Sequence, residues 1–373
     1  MNLKSFRLCF IGNMLGRNAG YITTQGMIIA DLFAKDGYEV VSSSPKLNRA
    51  LRLMDIARTI VENKNSIDVL VLDVYSGKSM IIADTASLLC KRLKIPLISV
   101  LRGGNLPVFM KRYPRWTRRV FKRADILVAP SFFLAEEMER EGFRVRVVPN
   151  VINLAAYPFR QRRQIAPNLI WMRSFHEIYN PQMALQVLEK LRWKYREATL
   201  VMAGTDKGLE PEIKALAEKM GLRSAVRFPG FLSREEKARE FSQADVYINT
   251  NRIDNMPVSV VEACAFGLPV VATDVGGISH LLTHGENGLL VADGGVDEMA
   301  VAVERLLDDE ELTAKLSKNG RRLAERSDWA FLKNVWLEMF EKLTGEEKRD
   351  RRGKSDVRYA QKTSSAPTAG SDW

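Results

Sequence analysis

DNMPVSVVEACAFGLPVVATDVGGISHLLTHGENG, residues 254–288, sets two acids and a glycine pair around one short helix and one short strand. Pro257 suits a first helical turn, where its missing N–H costs no hydrogen bond. VSVVEACAF continues the helix, and Gly267 is fitted to cap its end. LPVVAT then reads as a buried strand, so helix and strand alternate within a few residues. The start of such a helix offers free N–H groups and the positive end of its dipole, which together seat a phosphate. Asp254 stands before the helix and Glu262 lies more than a turn inside it. Taken singly, one is an ordinary turn residue and the other an ordinary helix acid. Taken together, they can hold hydroxylated groups on both sides of a diphosphate, with Ser259 as an added hydroxyl donor.

The same alternation extends in both directions. Upstream, FRLCFI (6–11), YEVVSS (38–43), IDVLVLDVY (67–75), PLISVL (96–101), DILVAP (125–130) and VRVVP (145–149) read as strands. Helical patterns over 20–36, 48–64, 78–94 and 131–141 separate them. A connector with three prolines and a basic cluster spans 149–167. The pattern then restarts with NLIWMR (168–173), ATLVMAG (198–204), AVRFPG (225–230), DVYINT (245–250), LPVVAT (268–273) and GLLVA (288–292). Helical stretches at 181–194, 210–220, 233–243, 257–266 and 296–308 lie between these strands, and two more follow at 310–326 and 329–344. Runs rich in Val and Ile, bounded by helices, predict parallel sheets covered on both faces. The fold class is α/β: two tandem Rossmann-like, doubly wound domains with a cleft between them, where ligands sit beyond the carboxyl ends of the strands. The expected divisions are 1–155, 156–327, a closing helix at 328–345 that packs back on the first domain, and a disordered tail at 346–373.

Composition narrows the classes. No run of about 18 apolar residues occurs, so no membrane span is expected. MNLKSFRLCFIG lacks the length and cleavage pattern of a signal peptide and reads as a first strand, which places the protein in the cytoplasm. Cys9, Cys90 and Cys264 lie in apolar contexts without a Cys-x-x-Cys pair, which fits buried thiols rather than disulfides or zinc. A net charge of +11 suits phosphate-rich partners. Charge alone is the only argument for nucleic acid, and none is expected. Segment 111–123, KRYPRWTRRVFKR, has seven basic residues and no acid. It reads either as a helix on an anionic membrane surface, with Trp116 and Val120 among the cations, or as a solvated helix whose apolar side joins the core.

The segment from Asp254 onward resembles the large retaining glycosyltransferase family 4, of the GT-B fold. That family carries an acid, seven residues, then Glu, followed by Ala-x-Gly-x-Pro-Val-Val-Ala and a Gly-Gly pair. Here these read Asp254…Glu262, AFGLPVVA (265–272) and Gly276-Gly277, and HGENGLLV (284–291) is also similar. The resemblance covers roughly 1–345. It implies transfer of a sugar, without metal or other cofactor, from a nucleotide-sugar to a glycan or lipid-linked hydroxyl, as in polysaccharide or glycoconjugate synthesis. It further implies that Glu262 binds the donor ribose and that Asp254, usually Glu, contacts the sugar. Asn255, Met256, Pro257, Val258 and Ser259 would hold sugar and phosphate, and Gly230 and Phe231 would lie near the base. Arg173 falls at the position of a diphosphate-binding arginine. The lysine that usually follows is missing, and Tyr179-Asn180-Pro181 stands there instead.

In the first domain, Gly12, Gly16 and Gly20 punctuate a loop that the family places in its cleft, with Gly16 the candidate for close donor approach and Arg17 a further phosphate candidate. Arg102, in LRGGNLP, stands where family members often have His. It cannot act as a base at neutral pH, but it can stabilise a leaving phosphate or form a structural ion pair. Asp254, Arg102 and Arg173 are therefore the candidate catalytic residues. His280 and His284 have helical spacing but no third ligand, and His176 reads as a loop residue. Two alternatives accompany this reading: a non-catalytic relative that serves as a carbohydrate- or membrane-binding scaffold, and a nucleotide-sugar epimerase.

Overall fold

A computed structural model describes residues 6–18, 21 and 23–362, with side chains through 345. Six strands form the first sheet: β1 (Arg7–Ile11), β2 (Glu39–Ser43), β3 (Val69–Val74), β4 (Leu97–Leu101), β5 (Ile126–Ala129) and β6 (Arg146–Val147). Six form the second: β7 (Asn168–Met172), β8 (Thr199–Ala203), β9 (Val226–Gly230), β10 (Val246–Asn249), β11 (Val270–Thr273) and β12 (Leu289–Val291). Every pairing is parallel. The orders are β2-β1-β3-β4-β5-β6 and β12-β11-β10-β7-β8-β9. Both are doubly wound, and each reverses direction beside its first strand, between β1 and β3 and between β7 and β10.

The apolar strands are continuous runs because each face meets a different helical layer. In β3, Leu70, Leu72 and Val74 pack with Ile56, Ala83 and Met110 from the helices Arg49–Glu62, Met80–Leu93 and Leu106–Arg112. Val69 and Val71 face the other way, toward Phe33, Trp336 and Phe340. The second sheet repeats this arrangement: Leu169 and Trp171 face Leu185, Leu188 and Val303, while Ile170 and Tyr247 face Val260, Val261 and Phe266.

All twelve expected strands are present. The basic segment 111–123 is where the structure is more specific than the sequence. Two helices, Leu106–Arg112 and Pro114–Phe121, meet at Tyr113. Trp116 is turned inward, its indole N–H donating to Asp84 Oδ2 at 2.7 Å, and Val120 is buried. Arg119 and Arg123 also pair with Asp84. The aromatic side of this helix thus joins the core, and its cations Arg115, Arg118 and Arg119 remain outside.

The connector is likewise more than a solvated linker. Arg162 is buried, and its guanidinium donates to the carbonyls of Arg160, Phe241, Ser242, Ala244 and Phe266. Burial lowers its pKa to about 10. Nearby the chain crosses between the sheets twice. Ile152 N–H donates to Ser327 C=O at 2.9 Å, and Trp329 N–H donates to Ile152 C=O at 3.0 Å.

The helix Trp329–Lys362 follows the second crossing. Trp329, Leu332, Trp336, Met339 and Phe340 pack on the first sheet's core, with Trp329 edge-on to Phe33 at 4.7 Å. Residues 363–373 of the expected disordered tail lie outside the described residues, as do the side chains of 346–362. Asp36 ties the closing helix down: it accepts from Trp329 Nε1 at 3.0 Å and pairs with Lys333 Nζ at 2.8 Å. Burial opposes the Asp36 charge, but these two hydrogen bonds outweigh it and hold the carboxyl below its ordinary range. A depressed carboxyl contributes stability above its unfolded pKa and loses it as pH falls through the folded value. Asp36→Asn is therefore expected to cost under about 1 kcal/mol at neutral pH. In thermal unfolding, its gap from wild type should close as the pH is lowered from about 5 to 2.

Candidate functional site

The site lies where β7 and β10 part at their carboxyl ends. Arg173 follows β7 directly, and its N–H donates to Ala203 C=O at 3.0 Å. Gly204 permits this crossing: it sits at φ +150°, and a Cβ there would lie 1.8 Å from Arg173 O. The Arg173 side chain then turns toward the loop after β10. Its Nη2 donates to Asp254 Oδ2 at 2.5 Å and its Nη1 to Ser259 Oγ at 3.2 Å. The guanidinium stacks over the Tyr179 ring, 4.1 Å from its centroid. Burial works against the cation, but Asp254, Tyr179 and Tyr247 outweigh it and raise its pKa. Its Nε is buried without a hydrogen-bond partner. The fold thus brings together Arg173, Tyr179, Asp254 and Ser259, which the sequence holds up to 86 positions apart.

Asp254 is more heavily engaged than a lone turn acid. Besides Arg173 it accepts from Asn251 Nδ2 and from the Asn255 N–H, both at 2.7 Å. The Gly276-Gly277 pair supports this loop from below. Gly277 N–H donates to Asp254 C=O at 2.9 Å. A Cβ on Gly276 would lie 2.2 Å from Asp254 O, and one on Gly277 would lie 1.7 Å from Asn255 O. The glycines are therefore required by contact with the loop that precedes the helix.

That helix runs Val258–Phe266 with Pro257 as its N-cap, so it begins one residue later than the sequence pattern put it. Gly267 ends it in the left-handed region at φ +81°. Asn255, Met256, Pro257 and Ser259 are buried and Val258 is half-buried. Glu262, only 6% exposed, accepts from Tyr157 OH at 2.9 Å and from Lys237 Nζ at 2.7 Å. Burial, then the Glu262 carboxylate, pushes up the pKa of the Tyr157 phenol. Sequence reasoning missed both partners. Lys237 comes from the helix Arg234–Gln243, which begins four residues past Gly230. Gly230 ends β9 at φ +77°, and Phe231 beside it is 62% exposed.

The first sheet faces this loop. Ser131 Oγ hydrogen-bonds Asn255 Oδ1, and Gly104 packs on the Asp254–Asn255 backbone. Asn150 Nδ2 donates to Met256 C=O at 3.1 Å. Arg102 is not displayed in this cleft. It is 6% exposed, pairs with Asp73 Oδ1 at 2.9 Å and donates to Asn150 Oδ1 at 2.9 Å. Gly16 lies half-buried in the loop after β1, while Arg17 is drawn to Ser42 Oγ at 2.7 Å. His280 Nε2 stands 3.4 Å from Glu136, and His284 Nδ1 accepts from Leu290 N–H. Burial pushes the thiols of Cys9, Cys90 and Cys264 up to about 12.

Comparison with known proteins places residues 164–323 in the family described as glycosyl transferases group 1. Among curated relatives, an alpha-D-kanosaminyltransferase of Streptomyces kanamyceticus is 32% identical over 37% of this chain and 36% of its own length. A glycogen synthase of Mycobacterium tuberculosis is 24% identical over 69% of this chain and 66% of its own length. The alignments thus span about a third and just under two thirds of those proteins. Among solved structures, Anabaena HepE with UDP and glucose superposes with a TM-score of 0.71, at 17% identity over 90% of this chain and all of that one. Sucrose-phosphate synthase of Thermosynechococcus elongatus reaches a TM-score of 0.74, at 15% identity over 91% of this chain and all of that one. These likenesses establish the GT-B fold.

Proposed function

We infer, from the membership of residues 164–323 in the glycosyl transferases group 1 family, that the chain transfers a sugar from a nucleotide-sugar to an acceptor hydroxyl, with retention and without a metal. One observation carries the reading: Arg173, Ser259 and Asp254 form a single hydrogen-bonded cluster at the mouth of the β7–β10 switch point, with buried Glu262 a turn away on the same helix. A diphosphate there meets a guanidinium, a hydroxyl and a helix start, all suited to its charge. In this reading Glu262 accepts from ribose hydroxyls and Asp254 from the sugar.

In this reading the acceptor oxygen bonds to the anomeric carbon on the face from which the diphosphate departs. The sugar–phosphate C–O bond breaks, and the acceptor proton passes to the departing phosphate oxygen. Arg173 stabilises the charge that develops there. Tyr179 holds the Arg173 plane by stacking in place of the missing lysine. HepE, solved with UDP and glucose, makes UDP-sugars the first donors to try. The acceptor is a glycan or a lipid-linked hydroxyl. An anionic membrane surface would be met by the exposed cations Lys111, Arg112, Arg115, Arg118 and Lys122.

A thermal-shift screen with UDP-, GDP- and ADP-sugars tests the donor. A donor present at about 100 times its dissociation constant adds about 2.7 kcal/mol of stability, so one class should raise the melting temperature clearly. If none of the three raises it, the reading fails.

A further inference from the structure

We propose that Asn150, held by Arg102, is a positioning residue that sets the loop before the helix Val258–Phe266 for its diphosphate. This rests on the functional reading above. The supporting feature is a buried polar chain that crosses from one domain to the other. Asp73, at the end of β3, fixes Arg102 through Nε at 2.9 Å, with both side chains almost wholly buried. Arg102 Nη1 donates to Asn150 Oδ1 at 2.9 Å. Asn150 Nδ2 donates to Met256 C=O at 3.1 Å, and its backbone N–H meets Met256 Sδ at 3.3 Å. Met256 lies between Asp254 and Pro257, in the segment that aims the helix start.

The residue types explain the arrangement. A group that bridges a guanidinium to a carbonyl has to accept from the first and donate to the second. The asparagine amide does both. Arg102 therefore reaches the site through Asn150 and not by touching the leaving phosphate. Because Asn150 lies in the connector and Arg102 and Asp73 belong to the first sheet, the loop's conformation depends on how the two domains meet. Ser131 Oγ hydrogen-bonds the neighbouring Asn255 side chain, and Gly104 lies against the Asp254–Asn255 backbone.

Asn150→Asp separates positioning from simple packing. The carboxylate keeps the acceptor that Arg102 uses but loses the donor to Met256. Asn150→Ala removes both. In the ligand-free full chain, both variants are expected to speed amide exchange in 251–259 about tenfold, the equivalent of one hydrogen bond, with 199–203 in β8 unchanged. Affinity for whichever of UDP, GDP or ADP the wild type binds should fall by a similar factor, about tenfold. If Asn150→Asp exchanges like wild type over 251–259, or keeps wild-type affinity, the proposal is overturned. Faster exchange throughout the chain would reduce Asn150 to a structural role and also overturn it. A wild type that binds none of the three nucleotides defeats the functional reading. The exchange pattern then still decides whether Asn150 sets the loop.

Discussion

Replacing Glu262 with glutamine is expected to cut sugar transfer about a hundredfold while leaving the protein folded. The side chain is 6% exposed and projects from the interior of the helix Val258–Phe266. One of its oxygens already accepts from Tyr157 and Lys237, which fixes the carboxylate plane. On the proposed reading, a ribose hydroxyl meets a charged acceptor that is already oriented. Hydrogen bonds to charged acceptors are roughly twice as strong as neutral ones. Glutamine keeps the shape, gives up the charge, and turns a donor toward either Lys237 or the ribose. Steady-state transfer assays with melting curves check this outcome. Transfer within about threefold of wild type, in a folded variant, would remove Glu262 from the site.

For Asp254→Asn the two readouts should move in opposite directions. In the ligand-free site Asp254 is the anion that occupies Arg173, at 2.5 Å. The incoming diphosphate must compete for that guanidinium. Asparagine removes the competitor and leaves a buried cation without its partner, an arrangement that binding an anion relieves. Nucleoside diphosphate is expected to bind about tenfold tighter. Transfer is expected to fall about a hundredfold, because on the proposed reading the carboxylate that orients the sugar is lost. Calorimetric titration with the diphosphate, alongside initial rates, separates the two effects. Diphosphate affinity that falls together with the rate would mean that Asp254 assists phosphate binding rather than opposing it.

These expectations mix what the sequence carried with what only the fold supplied. The strands were legible because Val- and Ile-rich runs buried on both faces leave few alternatives. That Asp254 and Glu262 flank a helix start was legible locally, whereas Arg173 was singled out by the family resemblance. The partners of Glu262 were not legible. Tyr157 is 105 positions away in the connector, and nothing in the helical stretch 233–243 marks Lys237 as a partner. Arg102 reads from sequence either as support for a leaving phosphate or as a structural ion pair, and the fold gives it the ion pair. Its pairing with Asp73 depends on how two neighbouring strands end, which periodicity does not encode. The short helices on either side of Tyr113 were only half legible, since seven cations in thirteen residues hide the apolar side on which Trp116 and Val120 sit. The Gly-Gly pair was visible as a motif, but its cause, contact with the 254–255 backbone, came from the coordinates.

The two chain crossings lie side by side, joined by the hydrogen bonds of Ile152 to Ser327 and Trp329. The segment between them therefore leaves and re-enters the first domain through a single doorway. The family match at 164–323 falls wholly inside that segment. Such a segment is a cassette: its ends already meet, so its removal would leave a gap that a few residues span. The segment is thereby exchangeable as a unit while the rest of the chain stays closed by its own terminal helix. An exchanged cassette keeps the 254–256 loop set only where that loop still meets Asn150 and Ser131.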